Sequence, residues 1–387
     1  MNDDDTRVTW DDNGQPRSAR WRSESQAVPE ALLAVDDTLT ANAAFKLVSE
    51  GTGLVWRGDF HNARQLLQAL ARRVDKPPRT HAPRAGAPAP APPSAREVFL
   101  QHRAAQARRA VLLNRVLLVV EPDHTVALRR AQDVRAALGE AWGPPDGEAA
   151  VVSLRELQGL VGAHEWRKKG VEVPALGGRI HPHYGVFSPV RGEYVGLVAQ
   201  APLPAGAQAL AFDVGTGSGV LAALLARRGV RRVVATDLDP RALACAAENA
   251  QRLGVVERIE FIAADMFPTG RAPLVVCNPP WVPTPANAAI ERAVYDPDSA
   301  MLRAFLAGLA AHLEDGGEGW LVMSDLAEHL GLRTRDEMLG WIAEGGLHVV
   351  ARHDTRPTHR KAGDADDPLF AARSKEITSL WRLGAAR

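Results

Sequence analysis

The tetrapeptide Asn278-Pro279-Pro280-Trp281 is the strongest candidate for a site of chemistry in this 387-residue chain. It directly follows an apolar segment, 273–277, that is typical of a buried strand. The Asn278 side-chain oxygen and the Pro279 main-chain oxygen can both accept hydrogen bonds, and the prolines stiffen the turn that carries them. Two such oxygens can hold both N–H hydrogens of an amide or aromatic amine, and Trp281 offers a flat surface for stacking. The tetrapeptide therefore predicts a pocket for a planar nitrogen acceptor.

A glycine-rich loop at 215–219 is the second feature with chemical meaning, and it follows the predicted strand 209–214. Its glycines permit a tight turn and close backbone approach, and the helix that follows offers free N–H groups to a carboxylate. Asp237 ends the next predicted strand and can accept hydrogen bonds from ribose hydroxyls. After a third strand, Asp265 can accept from an adenine amino group, and either the Met266 or the Phe267 side chain can lie on the adenine ring. These groups predict a cofactor that contains a nucleoside.

The elements that must position these residues alternate regularly from about residue 205. Strands followed by amphipathic helices are the pattern of an α/β fold with a doubly wound, mostly parallel sheet. In such a sheet a ligand binds over the carboxyl ends of the strands, where the strand order reverses. The last two predicted strands have no helix between them, so the final strand is expected to be antiparallel. We predict seven strands, at 209–214, 232–237, 258–263, 273–277, 318–324, 347–352 and 377–382, and helices at 219–228, 240–253, 298–313 and 334–344.

Four motifs within residues 184–324 resemble those of the small-domain N-methyltransferases, which include the HemK protein-glutamine and the RsmC-type ribosomal RNA guanine methyltransferases. The matching stretches are FDVGTGSGV at 212–220, ATDLDPRAL at 235–243, AADMF at 263–267 and CNPPW at 277–281. The resemblance implies a class I methyltransferase fold with S-adenosylmethionine as the cofactor. It also implies that 215–219, Asp237, Met266 and Asn278 contact this cofactor and that 278–281 hold the acceptor group.

Two positions depart from the family pattern. Trp281 stands where Tyr or Phe is usual, and Met266 stands where Trp is frequent in the HemK group, so the acceptor pocket and the adenine contact are expected to differ. A structural Asn-Pro turn is the alternative explanation of the tetrapeptide, and a nicotinamide site is the alternative for the glycine loop. The candidate catalytic residues are Asn278, Pro279, Pro280 and Trp281, and the candidate cofactor residues are Asp213, Gly215, Thr216, Gly217, Ser218, Gly219, Asp237, Asp265, Met266 and Asn278.

The predicted function is S-adenosylmethionine-dependent N-methylation of a planar amide or exocyclic amine nitrogen in a macromolecule, either a protein glutamine or a ribosomal RNA base. A small-molecule N-methyltransferase and a catalytically inactive methyltransferase-fold binding protein are the alternatives. Residues 60–200 hold 20 Lys and Arg against 12 Asp and Glu, so this basic segment is the candidate for an RNA contact. A solvated helical surface is the competing explanation of the same charge.

Three segments are expected along the chain: a disordered acidic tail at 1–29, an N-terminal substrate or partner domain at 30–180, and the methyltransferase domain at 181–387. The N-terminal domain is expected to be mixed α/β or helical, and to contain a Pro/Ala-rich linker at 76–96. No stretch approaches the roughly 20 apolar residues that span a bilayer, so a cytoplasmic protein without membrane contact is expected. Two cysteines are too few for a structural zinc site, and no metal is predicted.

Overall fold

The computed structural model of this chain describes residues 6–24, 26–76, 91–190, 192–286, 289–358 and 363–386. The chain divides into two compact units. The first comprises Met1–Pro93 and Leu100–Glu165, and the second comprises Ser94–Phe99 and Trp166–Arg387. The main boundary therefore lies at residue 166, whereas the sequence pattern placed it near residue 180.

The first unit is built on a six-stranded mixed sheet, whose strands are β1 (Arg7–Asp12), β2 (Gln15–Trp21), β3 (Ala31–Val35), β4 (Thr52–Trp56), β5 (Val116–Val120) and β6 (Ala150–Ser153). The strand order is β1-β2-β6-β5-β4-β3, with β3, β4 and β5 parallel. The helices of this part of the chain are α1 (Ala41–Ser49), α2 (Phe60–Val74), α3 (Ala95–Leu113), α4 (Arg135–Trp142) and α5 (Leu154–Lys169).

Residues 7–21 form the antiparallel hairpin β1–β2, so the predicted disorder of 1–29 is wrong for this stretch. Side chains of β1 alternate between exposed and buried positions, and Val8 and Trp10 pack into the core of the first unit. The connecting turn is Asn13-Gly14, with φ values of 56° and 80°. A two-residue hairpin turn needs this left-handed backbone, which Asn and Gly adopt readily. The acidic composition of the tail concealed a period-two pattern that buries enough apolar surface to fold.

The predicted Pro/Ala-rich linker at 76–96 falls mostly outside the described residues, which resume at residue 91. Helix α3 begins at Ala95 with a capping box. The Ser94 hydroxyl accepts from the Glu97 N–H at 3.2 Å, and the Glu97 carboxylate accepts from the Ser94 N–H at 2.7 Å. The C-terminal end of the predicted linker is therefore the first turn of a helix.

The second unit contains nine strands and seven helices among the described residues. Two short strands, β7 (Val171–Val173) and β8 (Gly178–Ile180), pair by themselves. The others are β9 (Leu210–Val214), β10 (Arg232–Asp237), β11 (Ile259–Ala263), β12 (Ala272–Cys277), β13 (Leu313–Ser324), β14 (Leu347–Thr355) and β15 (Thr378–Ala385). The helices are α6 (Glu193–Gln200), α7 (Val220–Arg227), α8 (Pro240–Arg252), α9 (Ala300–His312), α10 (Leu326–His329), α11 (Arg335–Glu344) and α12 (Phe370–Arg373).

Strands β9 to β15 form one seven-stranded sheet with the order β11-β10-β9-β12-β13-β15-β14. Six strands run in the same direction, whereas β15 is antiparallel to both of its neighbours. The predicted doubly wound fold with an antiparallel last strand is thereby confirmed. The chain leaves β9 toward β10 on one side and later returns to β12 on the other, so the strand order reverses at β9. The carboxyl ends of these three strands meet at one edge, where open α/β sheets bind their ligands.

Buried hydrophobic side chains cover both faces of this sheet. Helix α7 contributes a continuous buried stretch to one face, together with Trp320 from β13. Helix α9 packs on the other face through side chains that include Phe305. Within the described ranges, no helix is long and apolar enough to cross a membrane.

The hairpin β1–β2 generates the first prediction. Trp10→Ala should lower the free energy of unfolding by about 3 kcal/mol, because it removes a buried aromatic side chain from the core of the first unit. Gln15→Ala is the matched control on the exposed side of the same hairpin and should change stability by no more than about 0.5 kcal/mol. Urea unfolding followed by circular dichroism checks both values, and equal effects would show that Trp10 is not buried in the core of the first unit.

Candidate functional site

A cavity of about 760 Å³ opens over the carboxyl ends of β9, β10 and β12. This volume is within the usual range for sites that bind small molecules and cofactors. Ten of the residues predicted from the sequence line it, namely Asp213, Gly215, Thr216, Gly217, Ser218, Asp237, Asp265, Met266, Asn278 and Pro280. The structure thus brings together residues from four separate loops. The other three predicted residues, Gly219, Pro279 and Trp281, lie outside the lining.

The glycine loop needs its glycines for two different reasons. Gly215, Gly217 and Gly219 all have positive φ, at 70°, 55° and 78°. A Cβ on Gly215 would meet Met301 Cε at 2.6 Å, in the wall of the cavity. A Cβ on Gly219 would lie 2.9 Å from the Cα of Ala246, so this glycine allows α7 and α8 to pack closely. The contacts of Gly219 are therefore with a neighbouring helix.

The Asp213 carboxylate fixes the glycine loop to the end of β9 through hydrogen bonds. The carboxylate is buried at the end of β9 and accepts hydrogen bonds from the Thr216 hydroxyl at 2.6 Å and from the Ala222 N–H at 3.0 Å. Burial raises the pKa of Asp213 to about 6, because the charged form is poorly solvated there. The two hydrogen bonds connect the strand, the loop and the first turn of α7, so Asp213 fixes the shape of the loop.

Asp237 is oriented by two main-chain donors. One oxygen accepts from the Gly217 N–H at 2.9 Å and the other from the Asp239 N–H at 3.0 Å. A carboxylate oxygen has two lone pairs, so each oxygen keeps one for a further donor. Asp237 lines the cavity, where those lone pairs can accept from two adjacent hydroxyl groups such as those of a ribose.

Met266 and Phe267 were both possible partners of an adenine ring, and the structure separates them. Met266 lines the cavity in a left-handed backbone conformation, with φ of 73°, and its carbonyl accepts from the Thr236 hydroxyl at 2.5 Å. Phe267 instead stacks on His312 with a centroid distance of 4.2 Å. The Asp265 side chain is exposed at the rim of the same cavity. Met266 is therefore the side chain available to an adenine.

The lining fits S-adenosylmethionine. Ser218 Oγ is buried in the cavity wall, and no described group forms a hydrogen bond with it. Such an atom is costly unless a ligand completes its hydrogen bonding. Ser218 and the glycine-loop N–H groups would hold the methionine carboxylate, Asp237 the ribose hydroxyls and Met266 the adenine. Among the described residues, no group of three or more His, Cys, Asp or Glu could hold a metal ion.

The Asn278–Trp281 turn differs in detail from its sequence-based interpretation. Asn278 lines the cavity, and its side-chain oxygen accepts a hydrogen bond from the Trp281 indole N–H at 3.0 Å. The Trp281 ring packs edge-on against Tyr194, with a centroid distance of 6.5 Å and an angle of 90°. Trp281 is partly buried among core side chains and does not line the cavity as a stacking surface, because its indole is engaged by these two neighbours.

The lining residues that were not found from the sequence include Tyr194, Arg292 and Asp296. Tyr194 comes from α6, and Arg292 and Asp296 come from the segment between β12 and α9. The Asp296 carboxylate is buried and accepts from the Met301 N–H at 3.0 Å and the Leu302 N–H at 3.2 Å. Burial raises the pKa of Asp296. The predicted helix start at Asp298 is wrong, because Asp298 has φ of 54° and the helix begins at Ala300 with Asp296 as its side-chain cap.

Ribosomal protein L11 methyltransferases form one group of proteins that are similar to this chain. The family model for ribosomal protein L11 methyltransferase (PrmA) matches residues 203–279. A ribosomal protein L11 methyltransferase from Pelotomaculum thermopropionicum is 51% identical over 69 residues, which are 17% of this chain and 22% of that protein. The solved structure of ribosomal protein L11 methylase from Lactobacillus delbrueckii subsp. bulgaricus covers 54% of this chain and 86% of its own, with TM-score 0.36 and 18% sequence identity.

Release factor glutamine methyltransferases are the other group of relatives. The protein from Cereibacter sphaeroides is 40% identical over 123 residues, which are 28% of this chain and 44% of that protein. The protein from Deinococcus radiodurans is 31% identical over 240 residues, which are 59% of this chain and 81% of that protein. The match thus spans less than half of the Cereibacter relative and most of the Deinococcus relative.

The fold and the site define a class I S-adenosylmethionine-dependent methyltransferase, with S-adenosylmethionine as the cofactor. Within that class, the chain belongs to the family of the release factor glutamine methyltransferases.

The role of Asp237 generates the second prediction. Asp237→Asn should weaken the binding of S-adenosylhomocysteine about tenfold or more, because one carboxylate oxygen is replaced by a donor that cannot accept from a ribose hydroxyl. Glu260→Gln is the matched control, since Glu260 is an exposed acid on β11 that pairs only with Arg232 among the described contacts. Isothermal calorimetry measures both affinities, and an unchanged affinity in Asp237→Asn would refute this role.

The buried Asp213 generates the third prediction. Its pKa of about 6 in the folded protein lies above the ordinary value of 3.8. The folded state therefore binds a proton more tightly, and the stabilising contribution is complete below about pH 4 and lost as the pH rises through 6. Relative to Asp213→Asn, the wild-type free energy of unfolding should fall by up to about 3 kcal/mol over that range. Parallel stability curves for the two proteins between pH 4 and pH 8 would contradict this.

Proposed function

We propose that this protein transfers a methyl group from S-adenosylmethionine to the side-chain amide nitrogen of a glutamine in a protein, with a release factor as the leading acceptor. The observation that carries the proposal is that Asn278 lies in the wall of the cofactor cavity with its side-chain oxygen oriented by a hydrogen bond. That oxygen uses one lone pair for the Trp281 indole N–H at 3.0 Å and keeps the other for an incoming N–H.

The chemistry follows from the electronic structure of an amide. Its nitrogen lone pair is delocalised into the carbonyl, so the nitrogen is a poor nucleophile until the group is held and oriented. Asn278 accepts one N–H hydrogen, and the main-chain oxygen of Pro279 is proposed to accept the other. When bound, S-adenosylmethionine supplies an electrophilic methyl group on sulfur. The protein contributes orientation and hydrogen bonds to the acceptor nitrogen, whose N–C bond forms as the sulfur–carbon bond breaks and one N–H proton is released.

Relatives with protein substrates in their names favour a protein acceptor over RNA. The Deinococcus match extends over 240 residues, well beyond the cofactor site, and that protein is named as a methyltransferase of release-factor glutamine. The L11 methyltransferase model ends at residue 279, so it matches the cofactor half of the site and stops before Pro280 and Trp281. Ribosomal protein L11 is therefore the second candidate acceptor.

Labelling with S-adenosylmethionine that carries a radioactive methyl group tests the proposal. Purified release factor, ribosomal protein L11 and ribosomal RNA are incubated separately with the enzyme, and mass spectrometry locates the methyl group. Label on a release-factor glutamine, and its loss when that glutamine is replaced by glutamate, is the expected result. Label confined to ribosomal RNA or to a small-molecule fraction would overturn the assignment of a protein acceptor.

Asn278 generates the fourth prediction. Asn278→Ala should reduce methyl transfer at least about 100-fold, because the acceptor nitrogen loses the oxygen that orients it. The affinity for S-adenosylhomocysteine should stay within about tenfold, since the glycine loop and Asp237 are intact.

Asn278→Asp is the matched variant, because it keeps an acceptor oxygen at the same place and should retain more activity than Asn278→Ala. Transfer by Asn278→Ala at the wild-type rate, in protein that binds S-adenosylhomocysteine normally, would eliminate this mechanism.

A further inference from the structure

The Trp281 indole N–H donates a hydrogen bond to the Asn278 side chain, and this bond determines how the Asn278 amide is oriented. An indole N–H is only a donor, so the atom of the Asn278 amide that faces it must be the oxygen. The hydrogen bond at 3.0 Å therefore selects one of the two rotations of the amide by 180°. In the opposite rotation the amide NH₂ would face the indole N–H, donor against donor. In that rotation it would also present donors to an acceptor group whose own nitrogen carries hydrogens.

Tyr194 supports this arrangement from a second direction. Its ring is fully buried on α6 and contacts the Trp281 ring in an edge-on geometry, with ring centroids 6.5 Å apart. Tyr194 and Asn278 both line the cavity, and the Tyr194 hydroxyl forms no hydrogen bond with any described group. Burial raises the pKa of Tyr194 well above its ordinary value, so the hydroxyl stays protonated. The contact of Tyr194 with this turn is therefore the packing of its ring against the indole.

We propose that Trp281 and Tyr194 are positioning residues that lock the Asn278 amide in the rotation that presents its oxygen to the acceptor nitrogen. Trp281 does so by its hydrogen bond to the Asn278 oxygen. Tyr194 does so by packing against the indole ring and holding it in place. The inference rests on the proposed function, because an acceptor that brings its own N–H hydrogens needs an oxygen at this point. It also explains a tryptophan at 281, since phenylalanine has no donor.

Trp281→Phe is the informative variant, because it keeps an aromatic ring against Tyr194 and removes the donor. The rate of methyl transfer in a single turnover should fall about tenfold, the loss expected from one hydrogen bond that fixes a buried polar group. The affinity for S-adenosylhomocysteine and the melting temperature should stay close to those of the wild type. Tyr194→Phe should leave the rate within about twofold of the wild type, because the ring still packs on Trp281 and the hydroxyl forms no hydrogen bond.

Repeating Trp281→Phe in an Asn278→Asp background distinguishes two roles of Trp281: orienting the side chain at position 278 and packing against its neighbours. A carboxylate has an oxygen at both positions, so it has no wrong rotation for a neighbour to prevent. Trp281→Phe should therefore cost about tenfold in the wild-type background and less than about twofold in the Asn278→Asp background. An equal loss in both backgrounds would show that Trp281 acts by packing alone and would overturn the proposal.

A spectroscopic measurement tests the same hydrogen bond without any acceptor. The chain has 9 tryptophans, and Trp281→Phe identifies which indole N–H signal belongs to residue 281 in isotope-labelled protein. That signal should move upfield and exchange faster in Asn278→Ala, and should remain near its wild-type position in Asn278→Asp. A signal that Asn278→Ala leaves unchanged would refute the inference. Absence of label on release factor and L11 would instead refute the proposed function, while this measurement would still decide whether the indole holds Asn278.

Discussion

Strand β9 lies in the middle of the seven-stranded sheet with β10 and β12 as parallel neighbours, and this arrangement decides where every group of the site can lie. The three carboxyl ends must meet at one edge, and each one delivers a different kind of group: a glycine loop after β9, a carboxylate at the end of β10 and an amide after β12. The reversal of strand order at β9 leaves a crevice between the connecting segments, and the 760 Å³ cavity occupies it. Cofactor and acceptor groups therefore face one space.

Two buried carboxylates shape the walls of that space. Asp213 accepts from the Ala222 N–H at the start of α7, and Asp296 accepts from the N–H groups of Met301 and Leu302 at the start of α9. Burying a carboxylate is unfavourable, which is why the pKa of each is raised, but the free N–H groups of a helix N-terminus offset part of that cost. Each acid thus ties a helix to a cavity wall.

Sequence could predict the groups that sit at strand ends, because their position follows from strand order alone. Asp237 and Asn278 were found in this way. The contact of Tyr194 with Trp281 joins residues 87 positions apart and depends on how α6 packs, which no local pattern reveals. The hairpin of residues 7–21 was missed for a different reason: its Asn13-Gly14 turn is a strong local signal, but the acidic composition around it favoured disorder.

Several arginines of the basic segment predicted at 60–200 are paired with carboxylates, so fewer of its positive charges are available to a phosphate than the composition indicates. Arg130 lies 2.6 Å from Asp59, Arg109 lies 2.8 Å from Asp75, and Arg167 lies 2.5 Å from Glu248. A phosphate would have to compete with these carboxylates for the same guanidinium groups, which lowers the gain from counterion release. RNA contact through this segment therefore remains a prediction.

The tryptophan at position 281 orients the side chain that is proposed to bind the acceptor. Asn278 and Trp281 are three residues apart on a turn stiffened by two prolines, so the backbone cannot easily move the Asn278 oxygen away from the indole. A tyrosine would place its donor at the far end of the ring, whereas the indole nitrogen lies beside the ring junction and can reach back along the turn. Trp281 departs from the family pattern, and its observed hydrogen bond is to Asn278, which matches that pattern. Under the proposed function, the turn would itself favour an acceptor that carries N–H groups, before any contact with the rest of the acceptor molecule.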